Sequence, residues 1–297
     1  MHYRISSAMA SFCRELDLHS AMEEIRDSGF DALDFPFSVY STGPDAPMAG
    51  ENWQEWVENL KEFSEELKLP IHQAHATWKQ AIGENFQYEP PAPIYDRTFR
   101  ACRTVGCHHL IFHPLRQPGR VETPEFRQKI HEYNVRWFRD LLKAAEENDV
   151  IINLENTFDS HHVQTPGDPP YPYTRAEDML ALARDIGEDH VGLCLDTGHA
   201  NISAQDIPAM IRAFGEKLTT VHLNDNYGLI SPVYEDLHLF PGSGRICWDA
   251  VFAALEEVHF EGTYNVEPVA ELRRMPDQVR RIQLRAGADT LRALLGK

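Results

Sequence analysis

Eight short apolar runs recur along the chain, and most of them stop at a polar residue. They are HYRIS (2–6), FDALDF (30–35), LPIHQAH (69–75), HLIFH (109–113), VIINLE (150–155), VGLCLD (191–196), LTTVHL (218–223) and TYNVE (263–267). Most are nearly continuous rather than alternating, which is how strands read when a parallel sheet is covered on both faces. Stretches with helical spacing lie between them. WQEWVENLKEFSEEL (53–67) places Trp53, Trp56, Val57, Leu60 and Phe63 at steps of three and four, and VRWFRDLLKAAEE (135–147) repeats that spacing. AEDMLALARDIG (176–187), WDAVFAALEEV (248–258) and VRRIQLRAGADTLRALL (279–295) supply later helices, the first ending on Gly187. This alternation over 297 residues predicts an α/β fold, a (β/α)8 barrel spanning 1–297 as one domain. A doubly wound sheet is the competing architecture, but no GxGxxG or P-loop follows an early strand.

The polar strand ends carry the chemistry. Strand three ends in His75 and strand four in His113; strand five ends in Glu155, followed by Asn156. Strand six ends in Asp196, with His199 three residues on, and strand seven carries His222, Asn224 and Asp225. The next loop holds Asp236 and His238, and strand eight ends in Glu267. In a barrel these C-terminal ends converge on one rim. Taken singly, each has an ordinary reading: a hydrogen-bonded rim histidine, or a glutamate paired with a helix dipole. Together, buried carboxylates aimed at one point repel unless a cation neutralises them, and histidine with carboxylate suits a divalent ion. His108, His109 and His190 stand at strand beginnings, on the opposite rim, and are expected to be structural. His2, His19, His131 and His259 are expected at the surface, as are His161 and His162 in the loop after Glu155. His72 reads as core, and Trp78 and Phe158 as an apolar wall against a substrate or as rim packing.

Bulk properties narrow the partners. A net charge of −18, from 28 basic and 46 acidic residues, disfavours nonspecific attraction to nucleic acid or anionic lipid. The five cysteines (Cys13, Cys102, Cys107, Cys194 and Cys247) form no CxxC pair and fit a reducing compartment. No stretch reads as a signal peptide or a membrane span, so a cytoplasmic protein is expected.

LENT, LCLDTGHAN, VHLND, DLHLFPGSG and YNVEP, in this order and spacing, resemble the xylose isomerase-like TIM-barrel superfamily. Its branches include sugar and sugar-phosphate isomerases and epimerases, and the endonuclease IV repair enzymes. The epimerase branch implies one divalent metal (manganese, zinc, magnesium or cobalt) held by Glu155, Asp196, His222 and Glu267. His199, with His75 and His113, would then face the substrate. The endonuclease IV branch implies three zincs, adding His75, His113, His199, Asp236 and His238 as ligands. No lysine lies beside the strand-five or strand-six acids, which weighs against a hydride shift of the xylose isomerase type.

The leading expectation is a metal-dependent isomerase or epimerase of a small sugar, sugar phosphate, keto-sugar or polyol, working through an enediolate. Glu155 and Glu267 are expected on neighbouring strands and on opposite sides of the substrate, as the proton-handling pair. Asn224 and Asp225 are expected to orient His222, or with Asp236 and His238 to serve a further metal. The alternatives are the trinuclear zinc nuclease, a cyclitol or keto-acid dehydratase, and a non-catalytic sugar-binding barrel. The rim cations Lys79, Arg116, Arg120 and Arg245 are thin for tracking a DNA backbone, and Arg116 and Arg245 read as ordinary loop arginines rather than a phosphate site. A homo-oligomer is compatible with the resemblance.

Overall fold

The computed structural model describes residues 3–9, 16–77, 81–83, 85–117, 123–158, 171–187, 189–228, 236–268, 272 and 275–296. Its eight strands are β1 (Ile5–Ala8), β2 (Ala32–Pro36), β3 (Ile71–His75), β4 (His109–Phe112), β5 (Ile151–Glu155), β6 (Val191–Asp196), β7 (Leu218–His222) and β8 (Tyr264–Val266). They pair in sequence order, all parallel, and β8 closes on β1. The architecture is a (β/α)8 barrel. The strands lie about where the apolar runs place them, with one shift. β1 starts at Ile5, three residues into HYRIS, and runs on through the buried serines Ser6 and Ser7 to Ala8.

The helices are α1 (Leu18–Asp27), α2 (Phe37–Tyr40), α3 (Trp53–Leu67), α4 (Pro93–Val105), α5 (Pro124–Asn148), α6 (Ala176–Ile186), α7 (Thr197–Ile202), α8 (Ile207–Phe214), α9 (Trp248–Glu257) and α10 (Asp277–Leu295). α5 begins at Pro124, well before the apolar spacing starts. Thr123 caps it by accepting from the Phe126 N–H, and a proline at the first helical position costs no hydrogen bond. It ends at Asp149, in the left-handed region at φ 54. Trp137, Phe138 and Leu141 on its inner face are buried against the barrel wall, where each contributes on the order of 2–3 kcal/mol. Among the described residues no helix is long and apolar enough to cross a membrane.

Two irregularities in the barrel wall aim the site. Between β2 and β3 the register runs Leu33↔Ile71 and then Asp34↔Gln73, leaving His72 as an extra residue. Between β6 and β7 it runs Leu193↔Leu218 and then Cys194↔Thr220, leaving Thr219 over. Each shift re-phases one strand, so that His75 lies opposite Pro36 and His222 opposite Asp196. The two extra side chains face a polar floor at the N-terminal mouth. There the His72 and His109 rings stack, with centroids 5.4 Å apart, and Thr219 hydrogen-bonds Asn153. The expected structural role of His109 is that of a floor residue.

Candidate metal centre

The DTGH segment that ends β6 is explained by a helix cap. Asp196 Oδ1 accepts from the His199 N–H at 2.7 Å, so α7 begins without a connecting loop and carries His199 back over the mouth. The other oxygen, Oδ2, accepts from Asn224 Nδ2 at 2.7 Å. That same amide donates to Glu267 Oε2 at 3.0 Å, and Asn224 Oδ1 accepts from the Glu267 N–H. Asn224 thus spaces two carboxylates, where it was expected to orient His222.

His222 stands at the centre. Its Nδ1 lies 3.1 Å from both Glu155 Oε1 and Glu267 Oε2 and 3.9 Å from Asp196 Oδ2. Donor atoms of Glu155, Asp196, His222 and Glu267 all fall within 4.8 Å of one another, and all four side chains are buried. Glu155 and Glu267 do not sit on neighbouring strands. β6 and β7 separate β5 from β8, and the two carboxylates meet across the barrel mouth with His222 between them.

The remaining histidines surround this group. His75 Nε2 is 3.3 Å from Glu267 Oε1, and His113 Nε2 is 3.1 Å from Glu155 Oε2. His199 Nδ1 pairs with the Asn156 carbonyl at 2.8 Å, which leaves Nε2 facing Asp236 Oδ2 at 3.4 Å. His238 bonds Asp236 at 2.6 Å and the Glu267 carbonyl at 3.0 Å. Two further ligand groups have the same compactness: His113 with Glu155 and His199, and Asp196 with His199 and His238. Phe158 lies over His199, with ring centroids 4.7 Å apart. Trp78, His161, His162, Lys79 and Arg120 lie outside the described residues.

Sequence reading missed Asp34. It is fully buried on β2 and accepts from Gln73 Nε2, Asn265 Nδ2 and His75 Nδ1 at 2.9–3.0 Å, with His222 Nε2 3.3 Å away. Asp34, His75, His222 and Glu267 form another compact ligand group. The signal was available, because an acid interrupts the apolar run FDALDF. Asp225 also differs from expectation. It touches neither His222 nor any ligand group. Its carboxylate accepts the N–H groups of Asn226, Gly242, Gly244 and Ile246 and the Trp248 indole. It anchors the PGSG turn behind Asp236 and His238. A Cβ on Gly244 would run into this carboxylate and the Asn226 backbone.

The electrostatics are those of acids crowded around bases. Burial opposes charge on every group. Asp34 and Glu267 nevertheless lift His75 to about 10, Asp196 and Asp236 lift His199 to about 10, and Asp236 lifts His238 to about 9. His222 and His75 hold Glu267 down to about 2, and His113 and His222 hold Glu155 well below the usual carboxylate range. Burial pushes Asp196 up and His113 down to about 4.

Ligand chemistry fits this donor set. Buried Glu155 Oε2 and Asp236 Oδ1 accept no well-aligned hydrogen bond, although His113 Nε2 stands 3.1 Å from the first. Unpartnered buried acceptors cost on the order of 1–3 kcal/mol each, and a cation satisfies them. Mixed carboxylate and imidazole donors suit a divalent ion of borderline hardness.

The sequence model for the xylose isomerase-like TIM barrel matches residues 22–293. D-psicose 3-epimerase of Enterocloster bolteae is 29% identical over 136 residues, covering 45% of this chain but only 38% of the epimerase. An uncharacterized protein, y4fM, of Sinorhizobium fredii is 32% identical over 276 residues, covering 84% of this chain and 80% of that one. A crystal structure of the IOLI protein with a bound zinc atom superposes with a TM-score of 0.68 at 19% identity, covering 98% and 96% of the two chains.

Proposed function

The chain belongs to the xylose isomerase-like TIM-barrel family, and from that premise we propose a divalent-metal-dependent isomerase or epimerase of a small sugar, keto-sugar or polyol. The observation that carries this reading is the buried quartet of Glu155, Asp196, His222 and Glu267, with ligand atoms within 4.8 Å of one another. These four residues would hold the ion. A divalent ion there supplies Lewis acidity toward adjacent substrate oxygens and so acidifies the C–H between them.

The protein's own groups handle the proton. Glu155 and Glu267 face each other across the mouth, each with a second oxygen turned toward the histidines: Glu155 Oε2 toward His113, and Glu267 Oε1 toward His75. One of the pair, as a carboxylate, takes the proton from carbon, and the other, entering the cycle with a proton of its own, delivers that proton to the opposite face for epimerisation or to the adjacent carbon for isomerisation. His199, held through Nδ1 by the Asn156 carbonyl, presents Nε2 to a substrate oxygen. His75 and His113 donate to the oxygens on which charge develops. Phe158 closes the site with an apolar face.

The test is Glu267→Gln. Turnover and solvent deuterium uptake at carbon are expected to vanish, and near-normal activity would remove Glu267 from the proton path. A dehydrated product from the wild-type enzyme would move the assignment to the lyase class. A second reading, an endonuclease-like polynuclear centre, draws support from the two additional ligand groups around His199. Metal analysis separates the two. About one ion per chain favours the isomerase, whereas about three, with cleavage of abasic DNA, favour the nuclease.

A further inference from the structure

Arg116 does not behave as an ordinary loop arginine. It is half-buried, and Nη1 donates to the Phe158 carbonyl at 3.1 Å. Its own backbone is fixed, because the Arg116 carbonyl accepts the Ile82 N–H at 2.7 Å and the following Gln117 donates to the Gly83 carbonyl. Among the described residues, in a chain of net charge −18, no carboxylate pairs with this guanidinium. It borders a cavity of about 130 Å³ together with Thr77, Tyr95, His113 and Trp137. Thr77 Oγ1 is buried there without a hydrogen-bond partner. His113 is the wall shared with the metal centre, since its Nε2 reaches Glu155 Oε2 at 3.1 Å.

A partly desolvated guanidinium is costly unless something completes its hydrogen bonds, and among the described residues one carbonyl takes one of its five N–H groups. A neutral polyol has no need of such a charge. An oxyanion does, because the planar fork matches carboxylate and phosphate oxygens in pairs. We infer that Arg116, with Thr77, forms a subsite for an anionic group on the substrate, a carboxylate or a phosphate remote from the reacting carbons. The inference rests on the isomerase reading of the adjacent centre, and it names the class of substrate that centre takes.

The experiment has a kinetic arm and a binding arm, both on the metal-loaded enzyme. D-fructose, D-fructose 6-phosphate and D-fructuronate are compared as substrates for the wild type, Arg116→Ala and Arg116→Lys. The wild type is expected to favour one anionic ketose at least tenfold in kcat/KM, and which one identifies the anion. Arg116→Ala is expected to lose that preference through KM while changing little on fructose, with Arg116→Lys intermediate. A purely structural hold on Phe158 would lower all three substrates together, and that result would overturn the subsite. So would a wild type indifferent to charge. Calorimetry with gluconate, 6-phosphogluconate and sorbitol asks the same question without turnover. Tighter binding of an anion that disappears in Arg116→Ala supports the subsite even where no ketose reacts and the isomerase reading fails. An anion preference that survives in Arg116→Ala overturns it.

Discussion

Asp225→Asn is an isosteric change whose cost follows from the hydrogen bonds of this one carboxylate. Asp225 Oδ2 accepts from Gly242 N at 3.0 Å, Gly244 N at 2.9 Å and Trp248 Nε1 at 2.9 Å. Oδ1 accepts from Asn226 N at 2.9 Å and Ile246 N at 3.2 Å. All five partners are donors. An asparagine must turn its NH2 toward one of the two sets, and the cheaper choice faces the pair. Two N–H groups then lose their acceptor at about 1–3 kcal/mol each, and the other three bonds lose their charge assistance. The sum is about 4 kcal/mol, which for a chain of this size lowers Tm by about 6 °C. Calorimetry of the metal-loaded protein measures it, and hydrogen exchange of the amides from 239 to 248 shows whether the loss is local to the turn. A variant melting within a degree of the wild type, with those amides equally protected, would refute the reasoning.

Two further perturbations test other parts of the barrel. Burial, and then the neighbouring histidines, push His72 and His109 from 6.5 down to about 4, so the unfolded chain binds more protons than the folded one. Their stabilising contribution is complete above pH 6.5 and is lost as pH falls toward 4; replacing His72 with Gln should flatten the dependence of Tm on pH in that window, and an unchanged slope would count against it. Asp34→Asn should weaken metal binding about 10- to 100-fold, the usual cost of removing a group that orients a ligand. Titration with a metal-sensitive dye measures this, and unchanged affinity would reduce Asp34 to packing.

The barrel and its mouth were legible because both are repeated signals. Each apolar run repeats the same strand message, and the polar residue ending it repeats the same rim message, so an error in one unit is outvoted. The ring of polar strand ends stood out for that reason, and the choice of Glu155, Asp196, His222 and Glu267 within it came from the resemblance to the family. What was illegible is single and non-local. The extra residues His72 and Thr219 are defined only by pairing with a neighbouring strand. Asp34 takes its meaning from His75 and Asn265, which reach it from β3 and β8. α1 and α4 escaped because their buried faces are short: Ala21, Met22 and Ile25 in one, and Tyr95, Phe99 and Cys102 amid arginines in the other. Asp225 read as a partner of His222 from proximity in sequence, whereas the turn that encloses it comes from residues 17 to 23 positions later.

The polar interior has a directional logic that an aliphatic barrel core would lack. Asn153 Nδ2 must face the Ile151 carbonyl, which can only accept, so its oxygen turns to Thr219. In the same way Asn265 gives its Nδ2 to Asp34 and keeps its oxygen for the Ser6 hydroxyl. Asp34 Oδ2 is then occupied by the amides of Gln73 and Asn265, and Oδ1 is left for His75 Nδ1–H. That bond fixes which His75 nitrogen turns toward Glu267 and Glu155. A core of branched aliphatics, the usual filling of such barrels, would pack more stably but would leave His75 free to flip. The cost of burying these groups is offset by hydrogen bonds only if every member is present. The consequence is that the residues below the mouth are as constrained as the candidate ligands above them, because each fixes the orientation of the next.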